Sequence, residues 1–151
     1  MRALIQRVSS AEVNIPTENY SKKIQNGLLI LLGITHDDTV KDIDWLVNKI
    51  VNLRIFNDEE AKMNLSVLDI NGEILIISQF TLFASYKKGN RPSYLKSAKP
   101  EIAENLYQNF IEKCKLHSVL KIKQGIFGAD MKISLVNDGP VTIMLDSKNP
   151  E

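Results

Sequence analysis

The chain has almost none of the side chains from which hydrolytic, redox and metal sites are usually made. Its 151 residues include one cysteine, Cys114, and two histidines, His36 and His117. A lone cysteine excludes an internal disulfide, and a reducing cytoplasm is the natural compartment for such a chain. No His, Cys and carboxylate side chains are grouped at ligand spacing, so the expectation is a protein without metal or cofactor. His36 precedes an expected helix and His117 follows another in a lysine-rich turn; both read as surface residues outside any triad setting. Long hydrophobic runs are missing as well. The densest, Leu28 to Ile34, is far short of the ~20 residues needed to span a bilayer, and no membrane association is expected. Met1–Arg7 lacks the sustained apolar stretch of a signal peptide. Repeats, low-complexity tracts and Gly/Ser linkers are absent, so residues 1–151 read as one domain.

What is present is ordinary in bulk and uneven in detail. Hydrophobic content of 44% and charged content of 25% suit a globular protein. The net charge is only +1, yet residues 85–123 hold nine Lys and Arg against three Glu. Within them, Ser85–Lys99 carries Lys87, Lys88, Arg91, Lys96 and Lys99 and no acid. This stripe is either a solvated loop or an attractor for a polyanion.

The patterning predicts about six or seven strands and two helices without regular βαβ alternation. That is an α+β domain with a curled, barrel-like, antiparallel or mixed sheet and two main helices packed outside. Arg2–Ile15 alternates as a strand, with Ala3, Ile5 and Arg7 on one face. Arg7 is either at an edge or surface, or paired inside. Asn26-Gly27 reads as a hairpin turn between Ser21–Gln25 and the buried strand Leu28–Ile34. A helix is expected from Thr39 to Leu53, then a short strand near Leu65–Leu68 and another over Glu73–Phe80. A second helix starts near Pro100 with Ile102, Leu106, Phe110 and Cys114 on its inner face, so Cys114 reads as a small core residue. The last third reads as a meander of short strands separated at Gly125–Gly128 and Gly139-Pro140.

Two polar islands interrupt the most apolar strands. Ser78-Gln79-Phe80-Thr81 offers two hydroxyls, an amide, and backbone N–H groups able to face a developing oxyanion. Its plain alternative is a strand end. Asn137-Asp138-Gly139-Pro140 is either a turn or a fixed pair of carbonyl oxygens presented where the ladder breaks. Thr81 is a nucleophile candidate by residue type, with no side-chain base evident to activate it.

These islands resemble the two signature motifs of the D-aminoacyl-tRNA deacylase family of bacteria and eukaryotes. Met1–Val8, Asn52–Phe56, Lys62–Asn64, Lys88–Ser93 and Gly128–Met131 also resemble family segments, in the same order. Asn14–Lys23 departs from the pattern and is slightly extended. The resemblance implies hydrolysis of the ester in D-aminoacyl-tRNA, and of glycyl-tRNA mischarged on the alanine tRNA, releasing free amino acid and tRNA. It implies a homodimer with sites at the interface, and contact with the tRNA acceptor end. Ser78, Gln79, Phe80 and Thr81 would handle the ester. Gly139-Pro140, in the cis form, would enter the partner's pocket and exclude an L side chain. Arg7 resembles the arginine holding that loop. Phe127 and Met131 resemble residues near the pocket, with core filling as the other reading. Lys87, Lys88 and Arg91 become candidates for tRNA phosphate contacts.

Overall fold

The computed structural model describes residues 1–87, 89–117 and 119–150. Among the described residues, eight strands and two α-helices make the expected α+β architecture: β1 (Arg2–Ile15), β2 (Tyr20–Ile24), β3 (Gly27–Gly33), α1 (Val40–Asn52), β4 (Phe56–Asn57), β5 (Met63–Leu65), β6 (Glu73–Ser78), α2 (Pro100–Lys115), β7 (Lys121–Gln124) and β8 (Lys132–Asp146). The main sheet runs β2-β1-β3-β6-β7, and β8 pairs with the other edge of β1. It is mixed and nearly closes on itself. Tyr20 Oη of β2 reaches across the gap and donates to the Gln124 carbonyl at the end of β7, 2.7 Å away.

Both helices are crossovers. β3 pairs parallel with β6, and β6 parallel with β7, and α1 and α2 lie in these two connections. Parallel neighbours demand such connections, so the mixed sheet contains two βαβ units, although the sequence shows no regular βαβ alternation. Ile43, Leu46, Val47 and Ile50 of α1 face Leu106, Tyr107, Phe110 and Cys114 of α2 in one core cluster over Ile5, Ile30 and Ile76. The α2 stripe is shifted from its expected centre, because Ile102 is 47% exposed and Ile111 is buried in its place. Burial pushes the Cys114 thiol up to about 12, so it stays protonated and inert.

The Asn26-Gly27 hairpin does not exist. β2 and β3 both pair antiparallel with β1 and share one register, Ala11 opposite Ile24 and Arg2 opposite Gly33. The chain therefore reverses at Pro16–Asn19, where Asn19 takes φ 48°, and then runs straight past Asn26. Gly27 is required by a close approach instead of a turn. A Cβ there would lie 1.8 Å from the Glu73 carbonyl oxygen on β6. The short strand is Met63–Leu65, upstream of Leu65–Leu68, because it pairs with Phe56–Asn57. Nor is the last third a meander: β8 is one 15-residue strand that passes Gly139-Pro140 without turning back.

A bulge in β1 divides the two apolar faces. Val8 pairs with Asn137 and Ser10 with Val136, which leaves Ser9 as an extra residue. One inserted residue flips the alternation. Ala3 and Ile5 accordingly face the helices, while Ala11, Val13 and Ile15 join a second cluster with Leu29, Leu75 and Ile77 inside the curl.

Candidate active site

The first polar island begins where β6 runs out of partners. Leu32 is the last residue of β3 to pair with β6, opposite Ser78, and its carbonyl then accepts from Gln79 N at 2.7 Å. The chain bends there into a 3-10 turn over Phe80–Phe83, so the strand ends at Ser78 and not at Phe80. Gly33 makes room for this turn. A Cβ on it would approach the Gln79 carbonyl oxygen and Leu82 Cβ to 3.0 Å each. The N–H groups of Phe80 and Thr81 open the turn and find no acceptor among the described residues, as first-turn amides do. The Gln79 side-chain amide donates to Thr81 Oγ1.

A cavity of about 1000 Å³ opens beside the island. Ser78, Gln79 and Phe80 line it, but Thr81 does not. The residue type that looked most nucleophilic is thus absent from the cavity lining, and its hydroxyl accepts from Gln79. Phe127 and Met131 line the opposite side together with Ala129. Both also touch apolar clusters, so pocket wall and core filler are one role here. β6 and β7 part just before Gly125, after the pair Ile76–Gln124. The Ile76 carbonyl accepts from Gly125 N at 3.0 Å and from the buried Tyr107 hydroxyl at 2.8 Å. Burial raises the Tyr107 pKa further above its ordinary range, which keeps it a donor. Gly125 leaves space for Met131: a Cβ there would come within 2.4 Å of the Met131 sulfur.

The second island lies on β8. Pairing with β1 shifts between Gln6–Thr142 and Val8–Asn137, so four residues, Asp138 to Val141, stand opposite Arg7 alone. They form a bulge carrying a cis Gly139-Pro140 peptide, with Gly139 at φ 110°. Arg7 is 5% exposed and lies beneath this bulge. It donates to the Ile55 carbonyl and, through Nε, to the Asp138 carbonyl at 3.2 Å; the same Nε lies 3.2 Å from the Asp138 carboxylate. Asn137 Nδ2 completes the frame by bonding the carbonyls of Arg7 and Val141 at 2.9 and 3.0 Å. Gly139 has no room for a side chain, since its Cβ would sit 2.3 Å from a guanidinium nitrogen. A buried cation fixed by carbonyl oxygens thus braces an exposed dipeptide. Neither Arg7 nor Gly139-Pro140 lines the cavity beside Ser78–Phe80 in the same chain.

The basic stripe borders the cavity. Lys87, Arg91, Lys96 and Lys99 are exposed and have no ion-pair partner among the described residues; Lys88 lies outside those residues. Ser93–Lys99 supplies one cavity wall, where Tyr94 meets Phe80 edge to face at 5.0 Å between centroids. His36, read from sequence as a plain surface residue, stands at the rim, as does Asp130. Asp130 is ion-paired with Lys132 at 2.9 Å. Only their positions in the assembled fold reveal these rim residues; no local spacing marks them.

Comparison with known proteins identifies the relatives of this arrangement. The sequence model of the D-Tyr-tRNA(Tyr) deacylase family matches residues 4–146. A D-aminoacyl-tRNA deacylase of Flavobacterium psychrophilum is 60% identical over 151 residues, covering 100% of both chains. One from Thermosipho africanus is 58% identical over 148 residues and covers 98% of each. A solved structure described as a c-Myc DNA unwinding element binding protein is 41% identical and superposes with a TM-score of 0.88 over 97% of this chain and 98% of that one. A second, described as a probable eukaryotic D-amino acid tRNA deacylase, shares 15% identity at a TM-score of 0.84, over 95% of this chain and 97% of that one, and attests the fold.

Proposed function

The chain belongs to the D-Tyr-tRNA(Tyr) deacylase family, whose members are hydrolases, and from that premise we propose a chiral filter assembled from two copies of the protein. The substrate is the ester between a D-amino acid and the terminal ribose of tRNA. Ser78, Gln79 and Phe80 hold the aminoacyl group, and the unpaired N–H groups of Phe80 and Thr81 polarise its carbonyl. Water adds to that carbonyl, the ester C–O bond breaks, and the ribose oxygen leaves with a proton, giving free D-amino acid and tRNA. The neighbouring ribose hydroxyl orients or activates the water, because the Thr81 hydroxyl accepts from Gln79 and is bonded to no side-chain base among the described residues. Gly139-Pro140 of the second copy accepts hydrogen bonds from the substrate ammonium and occupies the space an L side chain would need. Glycine, having no side chain, passes the filter, so glycyl-tRNA mischarged on the alanine tRNA is also cleaved. Lys87, Lys88 and Arg91 meet phosphates of the acceptor end.

One observation carries this reading. Ser78, Gln79 and Phe80 line a cavity, whereas the dipeptide projects on an exposed bulge outside that cavity. In a homodimer the bulge of one copy completes the pocket of the other. The test is hydrolysis of D-, L- and glycyl-tRNA at low enzyme concentration. Cleavage of the D and glycyl esters with the L ester spared is expected. Equal cleavage of L esters would overturn the filter, and binding of tRNA without turnover would favour a non-catalytic nucleic-acid-binding protein. The latter reading draws on the basic stripe and on the description of the 41% identical relative.

A further inference from the structure

The wall of the cavity formed by Ser93–Lys99 has no ladder of its own. At its Ser93 end it exchanges two backbone hydrogen bonds with Ser85, each 2.8 Å, and beyond that it is fastened by scattered hydrogen bonds. Ala98 N donates to the Ile34 carbonyl at 2.9 Å, and Thr35 Oγ1 donates to the Lys96 carbonyl at 2.6 Å. Thr35 is itself anchored, its N–H donating to the buried Asp38 carboxylate at 2.8 Å. Ser97 Oγ ties the wall to the signature turn by donating to the Phe80 carbonyl at 2.9 Å. Between Ser93 and Lys96 the fastening is a side chain: His36 Nε2 lies 2.8 Å from the Leu95 carbonyl oxygen. A carbonyl can only accept, so Nε2 carries the proton of this ring.

We propose that His36 is a positioning residue for substrate binding, acting through the Leu95 carbonyl to hold Tyr94 against Phe80 at the mouth of the cavity. The inference rests on the hydrolase reading above. Leu95 is 87% exposed and buries nothing to hold itself down. Its neighbour Tyr94 is the residue that meets the Phe80 ring. Remove the His36 bond and the span of Tyr94 and Leu95 is tied down only at its two ends, by the Ser85–Ser93 pair and by Thr35 on Lys96. That span is then free to shift from the cavity. His36 is exposed and its bond is open to water, so the fold loses little, whereas a substrate must order the wall each time it binds.

The geometry specifies which replacements work. The Gln amide nitrogen reaches about as far along the side chain as Nε2, and the Asn amide nitrogen only as far as Nδ1. KM and kcat on D-aminoacyl-tRNA are measured for the wild type and for His36→Ala, His36→Asn and His36→Gln, with thermal midpoints alongside. His36→Ala and His36→Asn should raise KM roughly three- to tenfold, the value of one hydrogen bond, with kcat nearly unchanged. His36→Gln should restore most of the loss, and all four midpoints should agree. An unchanged KM in His36→Ala, or a Gln variant as poor as Ala, would overturn the proposal. So would a fall in kcat at constant KM, which would put the imidazole in the chemistry. A separate readout is independent of turnover: nitrogen-15 NMR should find the neutral ring protonated at Nε2, and the Nδ1–H form would also overturn it. A wild type inactive on D-aminoacyl-tRNA would sink the hydrolase reading while the tautomer still reported on the clasp.

Discussion

Ser78–Phe80 and Asp138–Val141 both interrupt a strand, but in opposite senses. At Ser78 the strand ends for good, and the chain bends so that its polar groups open into a cavity. At Asp138 the strand continues on the far side, and only the register slips, which pushes four residues outward. The first interruption is concave and roomy; the second is convex and rigid, with Arg7 beneath it and no space even for one added carbon at Gly139. A rigid convex element is suited to excluding something from another surface, and a cavity is suited to being so trimmed. The contrast teaches that one chain holds two parts of opposite shape that do not meet within it.

The sharpest way to break this complementarity is to disturb the convex part. Gly139→Ala puts a Cβ where the guanidinium nitrogen now lies, at a φ that side chains rarely adopt. The D/L discrimination ratio should fall by about a hundredfold, the upper range of what a steric pocket supplies. Arg7→Met should do the same and also cost about 2 kcal/mol in stability, since the Ile55 carbonyl loses its buried donor. Rates on L- and D-aminoacyl-tRNA, with denaturant unfolding beside them, check both. If discrimination survives in either variant, the bulge is not the filter.

The next effect is smaller and tests whether the parts belong to different copies. A Gln79→Ala variant and a Gly139→Ala variant should each be defective alone on D-aminoacyl-tRNA. Mixed and allowed to exchange subunits, they should recover roughly a quarter of wild-type activity, because half the dimers are mixed and each then has one intact site. No recovery under conditions where exchange is demonstrated would mean that both parts serve the same copy.

How much of this was legible beforehand depended on the range of the interaction. The helix stripes of α1 and α2 are local and emerge from spacing. Ser78 stands out because hydroxyls after Ile74–Ile77 break an apolar run. The Asn26-Gly27 dipeptide misleads for the same reason. Its turn signal is local, and the register shared by β2 and β3 along β1 overrides it. β8 was split because Gly-Pro is a breaker in any short window; only pairing with β1 reveals that the strand resumes. His36 carries no local mark at all, and its place at the cavity rim follows from where β3 ends relative to Leu95. The two crossovers were invisible because β6 and β7 are separated by a helix and a basic loop, and periodicity does not report partners.

The basic stripe gives the third test, concerning the cavity side alone. Lys87→Glu with Arg91→Glu should weaken tRNA binding roughly tenfold and lower the slope of log affinity against log salt by about two, one per lost phosphate contact. D/L discrimination should stay as it was, since neither residue lies on the bulge. A binding assay across a salt series reads both numbers. An unchanged slope would return the stripe to the status of a solvated loop.

The smallest effect is expected at Thr81, and that is its value. Thr81 would be the obvious nucleophile if the concave part worked as a conventional hydrolase, and its removal would then abolish turnover. Yet its hydroxyl accepts the Gln79 amide, and it is not among the residues lining the cavity. Thr81→Ala therefore costs only the positioning of Gln79, and kcat should fall less than about fivefold, the value of one neutral hydrogen bond. No acyl-enzyme should be trapped in the wild type by rapid quench if water attacks the carbonyl directly, as proposed. A trapped acyl group on Thr81, with turnover abolished in Thr81→Ala, would move the chemistry from the RNA to the protein. The bulge on β8 would then guard a covalent enzyme, and the division of labour between concave and convex parts would still stand.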